Sequence, residues 1–189
     1  MKELCRDLYT GFTDKHPDLG VVSKVSRIYR DARRLFGRGP YKDHLWLTLS
    51  QPADIWACQA TFWFEVGPED YNFGLGYWMV KGDTAAKLRA RMDNRPKEFE
   101  RLVRQVNKYP EFILTGETFK RPKKAPSALL EPWYNRKGGF SLQCVRSHDD
   151  LLFSPDLVPY LLEEWEKLTP MYRYLSTVDG DPDPRDPLE

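Results

Sequence analysis

Between positions 24 and 44 the chain carries Lys24, Arg27, Arg30, Arg33, Arg34, Arg38 and Lys42 against only Asp31 and Asp43. Guanidinium forks hold carboxylate or phosphate through paired hydrogen bonds, and lysine acts as a mobile point charge. Cations packed this densely repel one another unless something anionic sits among them. Two runs form the centre of the cluster, Arg27-Ile-Tyr-Arg-Asp31 and Pro40-Tyr-Lys-Asp-His44. His44 is the candidate proton carrier, with Asp31 to orient it and Tyr41 to donate a hydroxyl. Lys120-Arg-Pro-Lys-Lys124 and the pair Arg136-Lys137 supply further positive charge downstream. Arg27, Arg30, Lys42, Lys120 and Arg121 are thus candidate clamps for an anion, if distant segments converge. In a regular strand Arg27 and Arg30 face opposite ways, so sharing one pocket requires a bulge or bend between them. The plainer reading is a solvated basic face with local Arg–Asp pairs.

Other chemistries find less support. His16, His44 and His148 have no partner at metal-ligand spacing, and the sequence contains no Cys-x-x-Cys. Gly74-Leu-Gly76 lacks the third glycine of a dinucleotide fingerprint. It reads instead as two glycines on one strand face, admitting a close neighbour. A nucleophile elbow and a phosphate-binding Walker loop are both missing. No cofactor is implied. Cys58 and Cys144 fall on apolar strand positions and read as buried filler.

The chain has 189 residues, with 29 Lys+Arg, 28 Asp+Glu and 41% hydrophobic residues. That length predicts one domain with a core large enough to need no staples. Three cysteines are too few for a disulfide framework, and no apolar run reaches the roughly 18 residues of a membrane span. The expectation is a soluble, cytoplasmic protein with no membrane contact. The end of the chain, 179–189, holds five acids and one base, leaving the rest with a net charge of +5. Alternating Pro and Asp suits neither helix nor strand, so 179–189 reads as a disordered acidic tail behind a single globular domain, 1–178.

The elements that must position these residues follow from periodicity. A helix over 2–15 precedes an extended segment, 21–31. Strands at 43–50, 57–66 and 71–80, joined by short turns, predict an antiparallel meander over about 43–80. Apolar spacing then changes to the helical period, giving a helix pair over about 84–108, with Asp83 as the first cap. A short strand at 112–114, a basic loop over 118–132, a strand at 140–145 and a final helix ending before Pro170 complete the order. The expected architecture is α+β, a mainly antiparallel twisted sheet packed against the helix pair and the C-terminal helix.

Arg27-Ile-Tyr-Arg-Asp31 followed by Pro40-Tyr-Lys-Asp-His44 resembles the signature of the domain of unknown function 2461 family. The likeness continues through Gly74-Leu-Gly-Tyr-Trp78, the helix pair, Phe119-Lys-Arg-Pro122 and Leu168-Thr-Pro-Met-Tyr-Arg-Tyr-Leu175. It spans roughly residues 25–175. The resemblance implies a compact α+β domain found in bacteria and some fungi, and it implies no activity. Carried over position by position, its polar set is Arg27, Arg30, Asp31, Lys42, His44, Lys120, Arg121 and Lys137. The link 34–39 departs from the family's lysine-rich one, with Arg38 as the counterpart of its basic residue, and Lys124 precedes Ala125 where the family tends to have glycine.

Three functions compete. The leading one is binding of a small phosphate- or carboxylate-bearing ligand in a basic pocket, with or without an enzymatic reaction. Next is a non-enzymatic interaction or structural domain, its Arg–Asp and His hydrogen bonds maintaining the fold. The third is nucleic-acid binding through basic patches and surface aromatics such as Tyr29, Tyr41 and Trp133, against which the net charge of +1 argues. The sequence leaves the oligomeric state open.

Overall fold

The computed structural model describes residues 1–189 apart from Ala32, Arg34, Arg38, 186–189 and the side chain of Trp56. Alternation of apolar and polar residues produces six strands: β1 (Val22–Val25), β2 (Leu45–Ser50), β3 (Ala60–Val66), β4 (Asp70–Tyr77), β5 (Ile113–Thr118) and β6 (Arg136–Ser147). They form one antiparallel sheet in the order β1-β2-β3-β4-β6-β5, so β1 and β5 are its edges. The fold is α+β. Leu47, Phe64, Phe73 and Cys144 stand opposite one another across β2, β3, β4 and β6, as do Leu49, Phe62, Leu75 and Leu142. These two rows are buried and make the sheet's contribution to the core.

Helices cover that face. α1 (Lys2–Lys15) packs on β1 and β2, and α5 (Leu157–Leu175) packs on β3 and β4. Phe62 lies at the junction, its ring 5.1 Å from Phe12 of α1 and 4.8 Å from Tyr172 of α5. α2 (Gly82–Asn94) and α3 (Pro96–Val106) flank α5, and the short α4 (Glu131–Tyr134) buries Trp133 edge-on against Phe99 and Phe140. Trp133 is therefore core rather than a surface aromatic. Cys5, Cys58 and Cys144 are buried free thiols.

Several boundaries differ from expectation for identifiable reasons. α5 does not stop before Pro170 but runs through it to Leu175. An internal proline costs about 3 kcal/mol. Trp165, Leu168, Met171, Tyr172 and Leu175 are all buried, each worth about 1.5–3 kcal/mol, and together they outweigh it. Pro159 occupies the third helical position, where its missing N–H has no intrahelical partner to lose. α2 opens on Lys81 with no side-chain cap, and Asp83 sits in its first turn. β5 and β6 are longer than their apolar alternation suggests, which places Lys137 on a strand.

Gly74 fits the close-neighbour reading. A Cβ there would overlap the Leu142 carbonyl of β6, and the Trp63 ring lies across the same spot.

The start of the tail is ordered by α2, contrary to the disordered segment expected from 179 onward. Arg91, only 8% exposed, donates to both carboxylate oxygens of Asp181 at 2.5 and 2.7 Å, to the carbonyls of Tyr174 and Thr177, and to the Thr177 hydroxyl. The Thr84 hydroxyl donates to Asp179. Acids that look unemployed in sequence thus satisfy a guanidinium buried elsewhere. Arg185 pairs with Asp183 further along the expected tail, and its last residues, 186–189, lie outside the described residues.

Candidate functional site

The residues marked by sequence fall into two groups at diagonally opposite corners of the sheet. The first lies between β1 and β2. Hairpin pairing proceeds regularly to Val25 opposite Leu47 and continues with Ser26 N–H donating to the Trp46 carbonyl at 2.8 Å. It resumes at Lys42 N–H to Ile28 O, 2.8 Å, Arg30 N–H to Pro40 O, 2.7 Å, and a Tyr29–Tyr41 bridge. One residue, Arg27, therefore faces Asp43, His44 and Leu45: the extra residues of the bulge lie in 43–45, opposite Arg27, and not between Arg27 and Arg30, where pairing is regular from Ile28 onward.

That bulge brings Asp43 within reach of Arg30. Arg30 donates from Nε to the Tyr41 carbonyl at 2.7 Å, and its terminal nitrogen lies 3.1 Å from Asp43 Oδ2. His44 Nδ1 meets the other Asp43 oxygen at 2.8 Å. These neighbours, His44 first, hold the Asp43 carboxyl below its ordinary range. Asp31 does not orient His44 but receives Arg33 in a two-pronged pair, at 3.0 and 2.8 Å. Lys42 Nζ sits 5.6 Å from the centre of the Trp46 ring. Tyr29 and Tyr41 stack obliquely on each other, both exposed, and Arg27 is also exposed. Arg34 and Arg38, part of the expected cluster, lie outside the described residues.

The second group surrounds the far ends of β5 and β6. Leu45, Val66, Tyr71 and Arg146 mark one level across β2, β3, β4 and β6. From Arg146 to Lys137 is about 30 Å along β6, at about 3.3 Å per residue. Lys120, Arg121 and Lys137 are thus remote from Arg27, Arg30, Lys42 and His44. The structure does not gather the basic motifs around one cavity.

The second corner nevertheless has an open groove of about 420 Å³, lined by Trp78, Glu117, Lys137, Gly138, Gly139 and Ser141 among others. A register shift between Gly116 and Glu117 bends β5 there. Arg136 holds the bend by donating to the carbonyls of Gly116, Leu114 and Pro132. Burial draws its pKa down, and its donors are already engaged by backbone. Lys137 Nζ lies 3.9 Å from Glu117 Oε2, a loose, exposed pair.

Lys120 and Arg121 follow at once, no more than about 11 Å and 15 Å of backbone beyond Glu117. Asn135, 4% exposed, sets their loop: its Oδ1 accepts from Lys123 N–H at 2.7 Å and its amide donates to the Lys123 and Glu131 carbonyls. Phe119 N–H donates to the Asn135 carbonyl, and the Phe119 ring lies between Arg89 and Lys123. Sequence reading passed over Trp78, Glu117, Arg89 and Asn135. Trp78 within Gly74-Leu-Gly-Tyr-Trp78 was the available signal, since a strand's last aromatic can face either core or solvent.

An antiparallel sheet with every helix of its core on one face, and an open polar groove at one corner, defines a two-layer α+β domain. Residues 1–174 match the model of a family described as "Conserved hypothetical protein (DUF2461)", and the chain belongs to that family. The match extends to residue 1, beyond the segment on which the sequence resemblance rests. No curated protein and no solved structure matches the chain. No described helix is long and apolar enough to cross a membrane.

Proposed function

We infer that the chain binds a small phosphate- or carboxylate-bearing ligand in the groove at the β5–β6 corner, with Lys137 as the primary cation and Lys120 and Arg121 as electrostatic neighbours. The observation that carries this reading is a groove of about 420 Å³ lined by Lys137, whose acid partner Glu117 is a loose and exposed one at 3.9 Å. Among the described residues no ion pair involves Lys120 or Arg121. An entering anion would complete the charge pattern, and a lysine beside exposed peptide groups is suited to phosphate. No reaction is assigned to the groove: His44, the one proton carrier marked by sequence, belongs to the other corner.

The test is a thermal-stability screen with pyrophosphate, citrate and other small anions. Ligand at about 100 times its Kd adds about 2.7 kcal/mol to the native state. Binding in the groove predicts that Lys137→Ala loses most of the stabilisation given by any hit. Equal responses from wild type and Lys137→Ala for every hit would remove the reading.

A second reading applies to the first corner alone. The bonds of Arg30 to Tyr41 and Asp43 favour a structural role for Arg27-Ile-Tyr-Arg-Asp31 and Pro40-Tyr-Lys-Asp-His44, pinning an irregular hairpin. That is the interaction or structural alternative, confined to one part of the molecule.

A further inference from the structure

We propose that the anion taken by this groove is the phosphate of a nucleotide, whose base stacks on the indole of Trp78. The proposal rests on the anion-binding reading of the same groove and supplies the other half of the ligand. Trp78 follows the last residue of β4 and is 77% exposed. A tryptophan usually buries 150–250 Å² in a core or interface, so a bare indole inside a groove is an unusual surface.

The backbones run unusually close at this point. Tyr77 pairs with Phe140, which puts Trp78 opposite Gly139. A Cβ on Gly139 would overlap the Trp78 carbonyl, so the chains can run this close only where one of them has no side chain. Gly138, at φ 71°, and Gly116, at φ 122°, line the same groove and add no side chain either. Trp78 thus lines the groove together with these glycines, Lys137 and Glu117.

Three features select the ligand class. A volume of about 420 Å³ falls within the range of about 300–1,000 Å³ typical of organic ligand sites, more than a bare phosphate requires. An aromatic face beside cations is the arrangement that holds nucleotides without regard to base, because every base has a π-face to stack. Glu117 offers an acceptor for a ribose hydroxyl or a base amine. A small organic acid would use Lys137 and leave the indole in water. A free nucleotide and the unpaired nucleotides of a single strand share this chemistry, so the experiment must separate them.

Calorimetric titration of the full chain with pyrophosphate, adenosine diphosphate and a short single-stranded DNA does so, on wild type, Trp78→Ala and Lys137→Ala. Thermal melting checks that each variant is folded; both side chains are exposed. Adenosine diphosphate should bind wild type at least about tenfold more tightly than pyrophosphate. Trp78→Ala should weaken the nucleotide by about 5- to 150-fold, the usual cost of losing one stacked base, and leave pyrophosphate unchanged. Lys137→Ala should weaken both. Trp78-dependent binding of the DNA without the free nucleotide would support the same chemistry with a strand as its source. Equal affinity of wild type for pyrophosphate and adenosine diphosphate, with no Trp78-dependent DNA binding, would overturn the nucleotide while leaving the anion site. Nucleotide binding indifferent to Trp78→Ala would overturn the stacking. Failure of all three probes to bind would overturn both readings.

Discussion

Arg30 and Arg33 at the 26–44 corner each close onto an aspartate, whereas Lys120 and Arg121 at the opposite corner meet none among the described residues. The first corner has the denser run of bases in sequence. A bulge folds Asp43 back onto Arg30 and His44, and Asp31 takes Arg33, so both aspartates of that corner are engaged by its own arginines. The second corner has fewer bases, but its glycines and the bend in β5 leave a groove into which those charges project a field. Density of like charge along a chain is thus a poor guide to a site. What distinguishes the two corners is how tightly the acids within reach close on the bases and whether backbone geometry leaves a volume to fill.

Arg91 sets the upper limit for a cation satisfied wholly from within. Arg91→Met would leave the Asp181 carboxylate and two carbonyls without their donor, and breaking such a buried pair costs about 3 kcal/mol or more. Chemical denaturation should show that loss, the largest among these substitutions. The same pair sets an acid dependence. The Arg91 guanidinium holds the Asp181 carboxyl below its ordinary value of 3.8, so the unfolded chain takes up that proton first. The contribution is complete above the unfolded value and disappears as pH falls through the lower folded one. Wild type should lose its lead in melting temperature over Asp181→Asn only below about pH 4; a lead that instead vanished between pH 6 and 8 would implicate another group.

Asn135→Ala should come next, at about 2–3 kcal/mol, because it orphans the Lys123 N–H and the carbonyls that Asn135 serves. Urea unfolding measures it. Since Asn135 sets the loop bearing Lys120 and Arg121, faster amide exchange over 119–125 should accompany the loss. No such change should reach the 26–44 corner.

How far the sequence revealed all this depends on which interactions are local. The period-2 alternation in β2 to β4 and the i, i+3, i+4, i+7 pattern of Phe99, Leu102, Val103 and Val106 are short-range signals, and the elements follow them. Pro170 misleads because the burial that holds α5 together comes from side chains far away in sequence. The tail misleads likewise: nothing near Asp181 indicates that Arg91, on α2, lacks a carboxylate. At the sites, Lys120, Arg121 and Lys137 were legible as bases. Their separation from Arg27 and His44 depends on strand order, which places β1 and β5 at opposite edges, and spacing does not encode that order. Trp78 was legible as an aromatic, but its exposure is a property of how the folded chain is covered, which a strand's end does not encode.

The two smallest effects bear most directly on the contrast between the corners. Arg30→Ala removes a partly buried guanidinium with one carbonyl and one carboxylate partner, and should cost about 1–2 kcal/mol on urea unfolding. Its response to pyrophosphate should equal that of wild type, because the groove is about 30 Å away. Lys137→Ala should do the reverse. Its ammonium is exposed and, among the described residues, has Glu117 as its ion-pair partner, so unfolding free energy should stay within about 0.5 kcal/mol of wild type. Pyrophosphate affinity, if the groove is the site, should fall about tenfold, the equivalent of one charge-assisted contact. Each substitution then moves one quantity and leaves the other still. If Arg30→Ala weakened pyrophosphate while Lys137→Ala changed only stability, the roles given to the two corners would have to be exchanged, and the tightly paired arginines rather than the loosely paired lysine would be where an anion enters.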